Sequence, residues 1–152
     1  MANPSKQKGT SCETAVVKYM REHGFGGADR QPLRGNRDAG DILLCPGLVL
    51  EVKAHKTAGT GQPPAGQLAD WLGQAEAERL NAGAAHCPLI VKRSGTADVG
   101  KYFAWLPAWS VAQLMEGVAG LPNPSAPVGM TVSVLVGLLR RAGYGDALVE
   151  VA

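Results

Sequence analysis

An aspartate, a glutamate and a lysine stand close together in an otherwise apolar stretch of this 152-residue chain. Asp41 opens the run Ile42-Leu43-Leu44. A Cys45-Pro46-Gly47 turn follows, and then Leu48-Val49-Leu50-Glu51-Val52-Lys53. The second run has the apolar content of a buried strand, where Glu and Lys are almost never found without a partner or a task. Two carboxylates are hard oxygen ligands suited to Mg²⁺ or Mn²⁺. A lysine beside them supplies a point charge for a phosphate. Together these are the parts of a metal-dependent phosphodiesterase.

The hairpin decides whether the three side chains meet. Opposed residues of an antiparallel pair share a face. If Leu44 pairs with Leu48 across a three-residue turn, Asp41 lies opposite Glu51, and Lys53 joins them two residues along. Ile42, Leu44, Leu48, Leu50 and Val52 then form a wholly apolar opposite face. If only Pro46-Gly47 form the loop, Asp41 moves to the other face. The cleaner separation of apolar from charged residues favours the first register, and Gly47 suits the left-handed position of such a loop.

The pattern Gly40-Asp41-Ile42 followed by Leu50-Glu51-Val52-Lys53 resembles the PD-(D/E)XK nuclease superfamily. A helix bearing Glu13 precedes it, and a helix leading into Leu89-Ile90-Val91-Lys92-Arg93 follows. This α-β-β-β-α-β order, over roughly residues 9 to 106, is similar to the superfamily core and closest to archaeal and phage Holliday-junction resolvases. The resemblance implies an α/β fold with a restriction-endonuclease-like core, a mixed sheet flanked by helices, and a C-terminal helical extension. It implies that Asp41, Glu51 and the Val52 carbonyl hold Mg²⁺ or Mn²⁺, with Glu13 completing the site, directly or through water. Lys53 would orient or help deprotonate the attacking water, or offset charge on the phosphate. Gln74 falls where related nucleases carry a polar residue. Archaeal resolvases carry a serine before the motif aspartate, and Arg34-Gly35-Asn36-Arg37-Asp38 has none.

Structural roles compete for each of these residues. Thr10 and Glu13 have the spacing of a capping box, and a first-turn carboxylate favours a helix in any case. Asp41 could be a turn residue that starts a strand, with Asp38 the rival ligand. Glu51 and Lys53 could be the solvated side of an edge strand. His55, His86 and the cysteines read as structural, and Trp71 as core.

Positioning the motif requires a particular set of elements. A helix is expected from Thr10 to Gly24, with Cys12, Ala15, Val16, Tyr19 and Met20 as its buried stripe. A short strand near Asp29–Leu33 and the basic loop from Arg34 to Gly40 lead into the two motif strands, Asp41–Leu44 and Leu48–His55. Lys56 to Gly66 is a connection without apolar anchors, longer than usual. A second helix runs from about Gln67 to Asn81, with Leu68, Trp71, Leu72 and Ala75 on one face. Strands at Pro88–Arg93 and Lys101–Leu106 follow, then a helix at Trp109–Val118. Leu121 to Pro127 is a Pro-rich linker, Gly129 to Ala142 a final amphipathic helix, and Leu148 to Val151 a last short strand. Three segments result: a disordered basic arm at 1–9, a nuclease core at 10–110, and an extension at 111–152 packed on the core or at a dimer interface.

The net charge of +2 is too mild to announce nucleic-acid binding by itself. Its distribution says more, because Arg34, Arg37, His55, Lys56, Lys92 and Arg93 flank the acidic motif and form a candidate phosphate footprint. Cys12, Cys45 and Cys87 lack metal or disulfide spacing and read as reduced thiols of a cytoplasmic protein, the host cytoplasm if phage-encoded. Met1 to Lys8 lacks the apolar stretch of a signal peptide, and no apolar run spans a membrane. The expected function is a Mg²⁺-dependent, structure-selective DNA endonuclease, of Holliday-junction resolvase type, acting on four-way junctions as a homodimer. Trp105, Trp109, Val134, Leu135, Leu138 and Leu139 are the candidates for its interface. The alternatives are a restriction- or repair-type nuclease of the same superfamily, or a non-catalytic nucleic-acid-binding protein on the same fold.

Overall fold

The computed structural model describes residues 4–32, 37–54, 60–116 and 120–147. Within them lie four helices and six strands: α1 (Pro4–Glu22), β1 (Asp29–Arg30), β2 (Ile42–Cys45), β3 (Leu48–Lys53), α2 (Ala65–Ala82), β4 (Leu89–Val91), β5 (Phe103–Pro107), α3 (Ala108–Leu114), β6 (Pro127–Thr131) and α4 (Val132–Arg141). The strands form one mixed sheet in the order β1-β2-β3-β4-β5-β6. Only the β3–β4 pair is parallel, and α2 makes the crossover between them.

Alternation along the strands sends side chains to two cores. Ile42, Leu44, Leu48, Leu50, Val52, Ile90, Ala104 and Leu106 face α1 and α4, where Val16, Met20, Leu135 and Leu139 are fully buried. Leu89 and Val91 face α2, against Leu68 and Trp71. The central strands are therefore covered on both faces, as their near-continuous apolar sequence demands. Gly83 ends α2 in the left-handed conformation at φ 62°, with its amide bonded back into the last turn.

The hairpin combines both expected registers. Cys45 pairs with Leu48, so Pro46-Gly47 is a two-residue tip with Gly47 at φ 86°. One extra residue on β2, Leu44, then restores the pairing of Leu43 with Val49 and Ile42 with Leu50. This bulge brings Asp41 level with Glu51.

Four expectations are corrected. Helix α1 begins at Pro4, so residues 4–9 continue it instead of forming a separate arm. Lys, Gln and Ser are compatible with a helix, and Pro is tolerated in its first turn. Thr10 is consequently interior, its carbonyl accepting from Thr14 Oγ1 at 2.9 Å, and no capping box forms there. The final helix starts at Val132; the residues before it form β6, with Trp105 lying across Gly129. The described residues of the segment 111–152 thus pack on the core, one of the two placements expected for it: β6 completes the sheet, and α4 buries Val132, Leu135, Val136 and Leu139 in the same core as α1. Leu135 and Leu139 are therefore unavailable to a dimer interface, while Val134 is 57% exposed. The expected strand at Leu148–Val151 lies outside the described residues. No described helix is long and apolar enough to cross a membrane.

Candidate active site

The start of β2, the end of β3 and the end of β4 meet at one end of the sheet, since β2 is antiparallel and β4 parallel to β3. The predicted acids and lysine collect there. Asp41 enters through the backbone ladder. Its amide donates to the Leu50 carbonyl, and its own carbonyl accepts from Gln31, both at 2.8 Å. Its Oδ2 accepts from the Val52 amide at 2.8 Å, taking the place of a ladder carbonyl. The amide and carbonyl of one strand residue leave on the same side, so the Val52 carbonyl also faces the Asp41 side of β3.

Glu51 sits in the middle of the sheet and is 5% exposed, so the solvated edge-strand role is excluded. Its Oε1 lies 3.1 Å from Lys53 Nζ. Lys53 also donates to Gln74 Oε1 at 2.8 Å and stands 6.0 Å from the centre of the Trp71 ring. Gln74, on the exposed side of α2, thus holds the lysine over the acids. Glu13 instead accepts from Arg30 Nε at 3.0 Å. It reaches Asp41 through its charge, adding to the upward push on that carboxyl.

Glu78 was not anticipated. It is buried at 9% exposure on the face of α2 that carries Leu68, Trp71 and Ala75. Its spacing continues that stripe, which is the signal that could have identified it. Its carboxyl contacts that of Glu51. Burial, followed by the Glu51 charge, pushes Asp41 up to about 7. Burial, followed by Glu78, pushes Glu51 up to about 8. Glu78 is also raised, chiefly by burial. Crowded, desolvated carboxyls hold their protons unless a cation replaces them.

The donor chemistry fits a hard divalent cation. Glu51 Oε2 is buried without a hydrogen-bond partner, a position that desolvation makes unfavourable for a bare carboxylate. Among the described residues, no three His, Cys, Asp or Glu side chains already form a metal cage. Mg²⁺ does not require one, because it is bound by one or two carboxylates with water and substrate phosphate. Asp41, Glu51 and the Val52 carbonyl are the groups that would supply such a set.

The basic candidates divide. Lys92 follows β4 and donates its amide to the Lys53 carbonyl at 2.9 Å, so it borders the site. Arg93 is exposed, its guanidinium 5.9 Å from the Phe103 ring centre. Arg37 is exposed on the loop before Asp41. Arg34, His55 and Lys56 lie outside the described residues. His86 is structural, buried with Nδ1 2.5 Å from Ser110 Oγ. All three cysteines are free thiols, and burial pushes Cys87 upward. No protein-family model, curated protein or solved structure matches this chain.

Proposed function

We propose that this chain is a Mg²⁺- or Mn²⁺-dependent endodeoxyribonuclease on a restriction-endonuclease-like core, with branched DNA of the four-way type as its substrate. The observation that carries the reading is Glu51, an acid buried in a central strand, with Asp41 on one side and Lys53 on the other. A folded chain places a charge there only against a steep desolvation cost. The order helix, three strands, helix, strand supports the nuclease core. The junction preference rests on the resemblance of the motif to resolvases.

In this reading Asp41, Glu51 and the Val52 carbonyl hold the ion. Bound there, a divalent cation supplies Lewis acidity to a water and a phosphate oxygen. The protein contributes placement. The Val52 amide fixes the Asp41 carboxylate, Gln74 fixes Lys53, and the lysine ammonium faces the phosphate charge. Lys92, Arg93 and Arg37 hold the flanking backbone. Two symmetric cuts in a four-way junction call for two copies of the site, hence a homodimer. Leu135 and Leu139 are buried in their own chain, which leaves the exposed Val134 as the candidate of these three for that dimer surface.

A labelled four-way junction and a matched duplex, each incubated with and without Mg²⁺, test the reading. Paired, metal-dependent cuts in the junction alone are expected, with a dimer by light scattering. Equal cutting of duplex by a monomer removes the resolvase assignment and leaves the general nuclease. Binding with no cleavage in either metal overturns the enzyme reading.

A further inference from the structure

Glu78 has no role in the mechanism above, yet it occupies a place where an acid needs a partner. It lies on the buried face of α2, and its Oε2 has no hydrogen-bond partner. The facing acid, Glu51, is in the same condition: Oε1 is tied to Lys53 at 3.1 Å, and Oε2 is buried and unpartnered. Both side chains are at least nine-tenths buried. Two ionised carboxylates are acceptors only and cannot satisfy each other, whereas a proton shared between them can. Without metal that proton holds the pair together, and a cation that displaces it takes its place between them.

The local charge indicates what that is. Asp41, Glu51 and Glu78 are three carboxylates, and Lys53 is the ammonium bonded among them, which leaves a net charge of −2 when all are ionised. One divalent cation balances it. Glu51 is the common neighbour of the other two acids. Its unpartnered oxygen is the atom open to an ion, and Glu78 presents the second such atom. Of the three acids, Asp41 is held by the Val52 amide and Glu51 by Lys53. Among the described residues, Glu78 is held by its contact with the Glu51 carboxyl, and its Oε2 is unpartnered.

We infer that Glu78 is a third carboxylate ligand of the divalent ion assigned to Asp41 and Glu51, an inference that rests on that assignment; the three carboxyls do not form a cage as they stand, so binding of the ion draws Glu78 in. The ion then sits between the strand hairpin and α2, and its arrival fastens the helix to the sheet at the active end. A two-acid site on the hairpin would leave α2 indifferent to metal.

The test titrates Mn²⁺ calorimetrically into wild type, Glu78→Gln and Asp41→Asn, and records melting in EDTA. Wild type should bind one Mn²⁺ per chain. Glu78→Gln should weaken that binding at least tenfold while raising the metal-free melting temperature, because an amide can donate to the orphaned Glu51 oxygen. Glu78→Met is a second variant with the same binding expectation, should the first not fold. Mn²⁺ affinity unchanged in a folded Glu78 variant, but lost in Asp41→Asn, overturns the inference and leaves the hairpin site standing. Wild type that binds no Mn²⁺, or Asp41→Asn that binds normally, overturns the hairpin assignment and the inference with it.

Discussion

The Val52 amide donates to Asp41 Oδ2 at 2.8 Å, so one rung of the β2–β3 ladder is made by a side chain. The bond ties the position of a candidate metal ligand to the register of the hairpin. It also separates the charge of Asp41 from its structural role. Asparagine keeps an acceptor oxygen for the Val52 amide and loses only the charge. Asp41→Asn should therefore fold normally, bind DNA at least as tightly as wild type, and lose cleavage. Wild-type turnover in Mg²⁺ would remove Asp41 from the ligand set.

The meeting of Asp41 with Glu51 was legible because alternation left one face of the hairpin apolar and the other charged. The Leu44 bulge was not, since nothing distinguishes Leu44 from its apolar neighbours; it is the pairing that requires an extra residue. Strand β6 was hidden for a related reason. Val128, Met130 and Thr131 run without punctuation into the apolar pattern of α4, and Gly129 reads as a weak helix position. Only the Trp105 ring explains that glycine, because a Cβ there would meet the ring at 2.8 Å. Glu78 was overlooked because an acid in a helix reads as solvent-facing by default, although its spacing from Trp71 and Ala75 placed it on the buried face.

Lys53 joins Glu51 to Gln74 across the opening of the site. Lys53→Ala should reduce single-turnover cleavage by about 10²-fold or more, the scale of a positioned electrostatic or acid–base group. Its melting temperature in Mg²⁺ should stay close to that of wild type. A loss of stability with an unchanged rate would make the lysine a structural partner of Glu51 alone.

The raised carboxyls set a pH dependence. Asp41 near 7 and Glu51 near 8 stand above their unfolded values of about 4, so folding takes up protons between those limits. Their contribution to stability is whole below about pH 4 and is lost as pH rises toward 8. Metal-free protein should therefore melt at progressively lower temperature from about pH 5 to 8. Saturating Mg²⁺ should cancel the decline, because the ion replaces the protons. Thermal scans in EDTA and in Mg²⁺ across that range check it. A metal-free melting temperature that climbs with pH would contradict the crowding of the acids.

Lys92 borders the site through its backbone bond to Lys53, and Arg93 is exposed beside it. Junction affinity should fall steeply with salt, as release of counterions from phosphate requires. Lys92→Ala should weaken binding of every sequence alike and lower the salt slope by about one. An unchanged slope would place the DNA elsewhere on the sheet.

The central claim is that Glu51 is buried in a middle strand to hold a divalent ion for phosphodiester cleavage. Single-turnover cleavage of a labelled junction by wild type and Glu51→Gln, in Mg²⁺ and in EDTA, tests it most directly. Wild type in Mg²⁺ should cut, EDTA should stop it, and Glu51→Gln should bind the junction without cutting in either condition. Cleavage that survives EDTA, or a Glu51→Gln rate equal to wild type, would contradict the account.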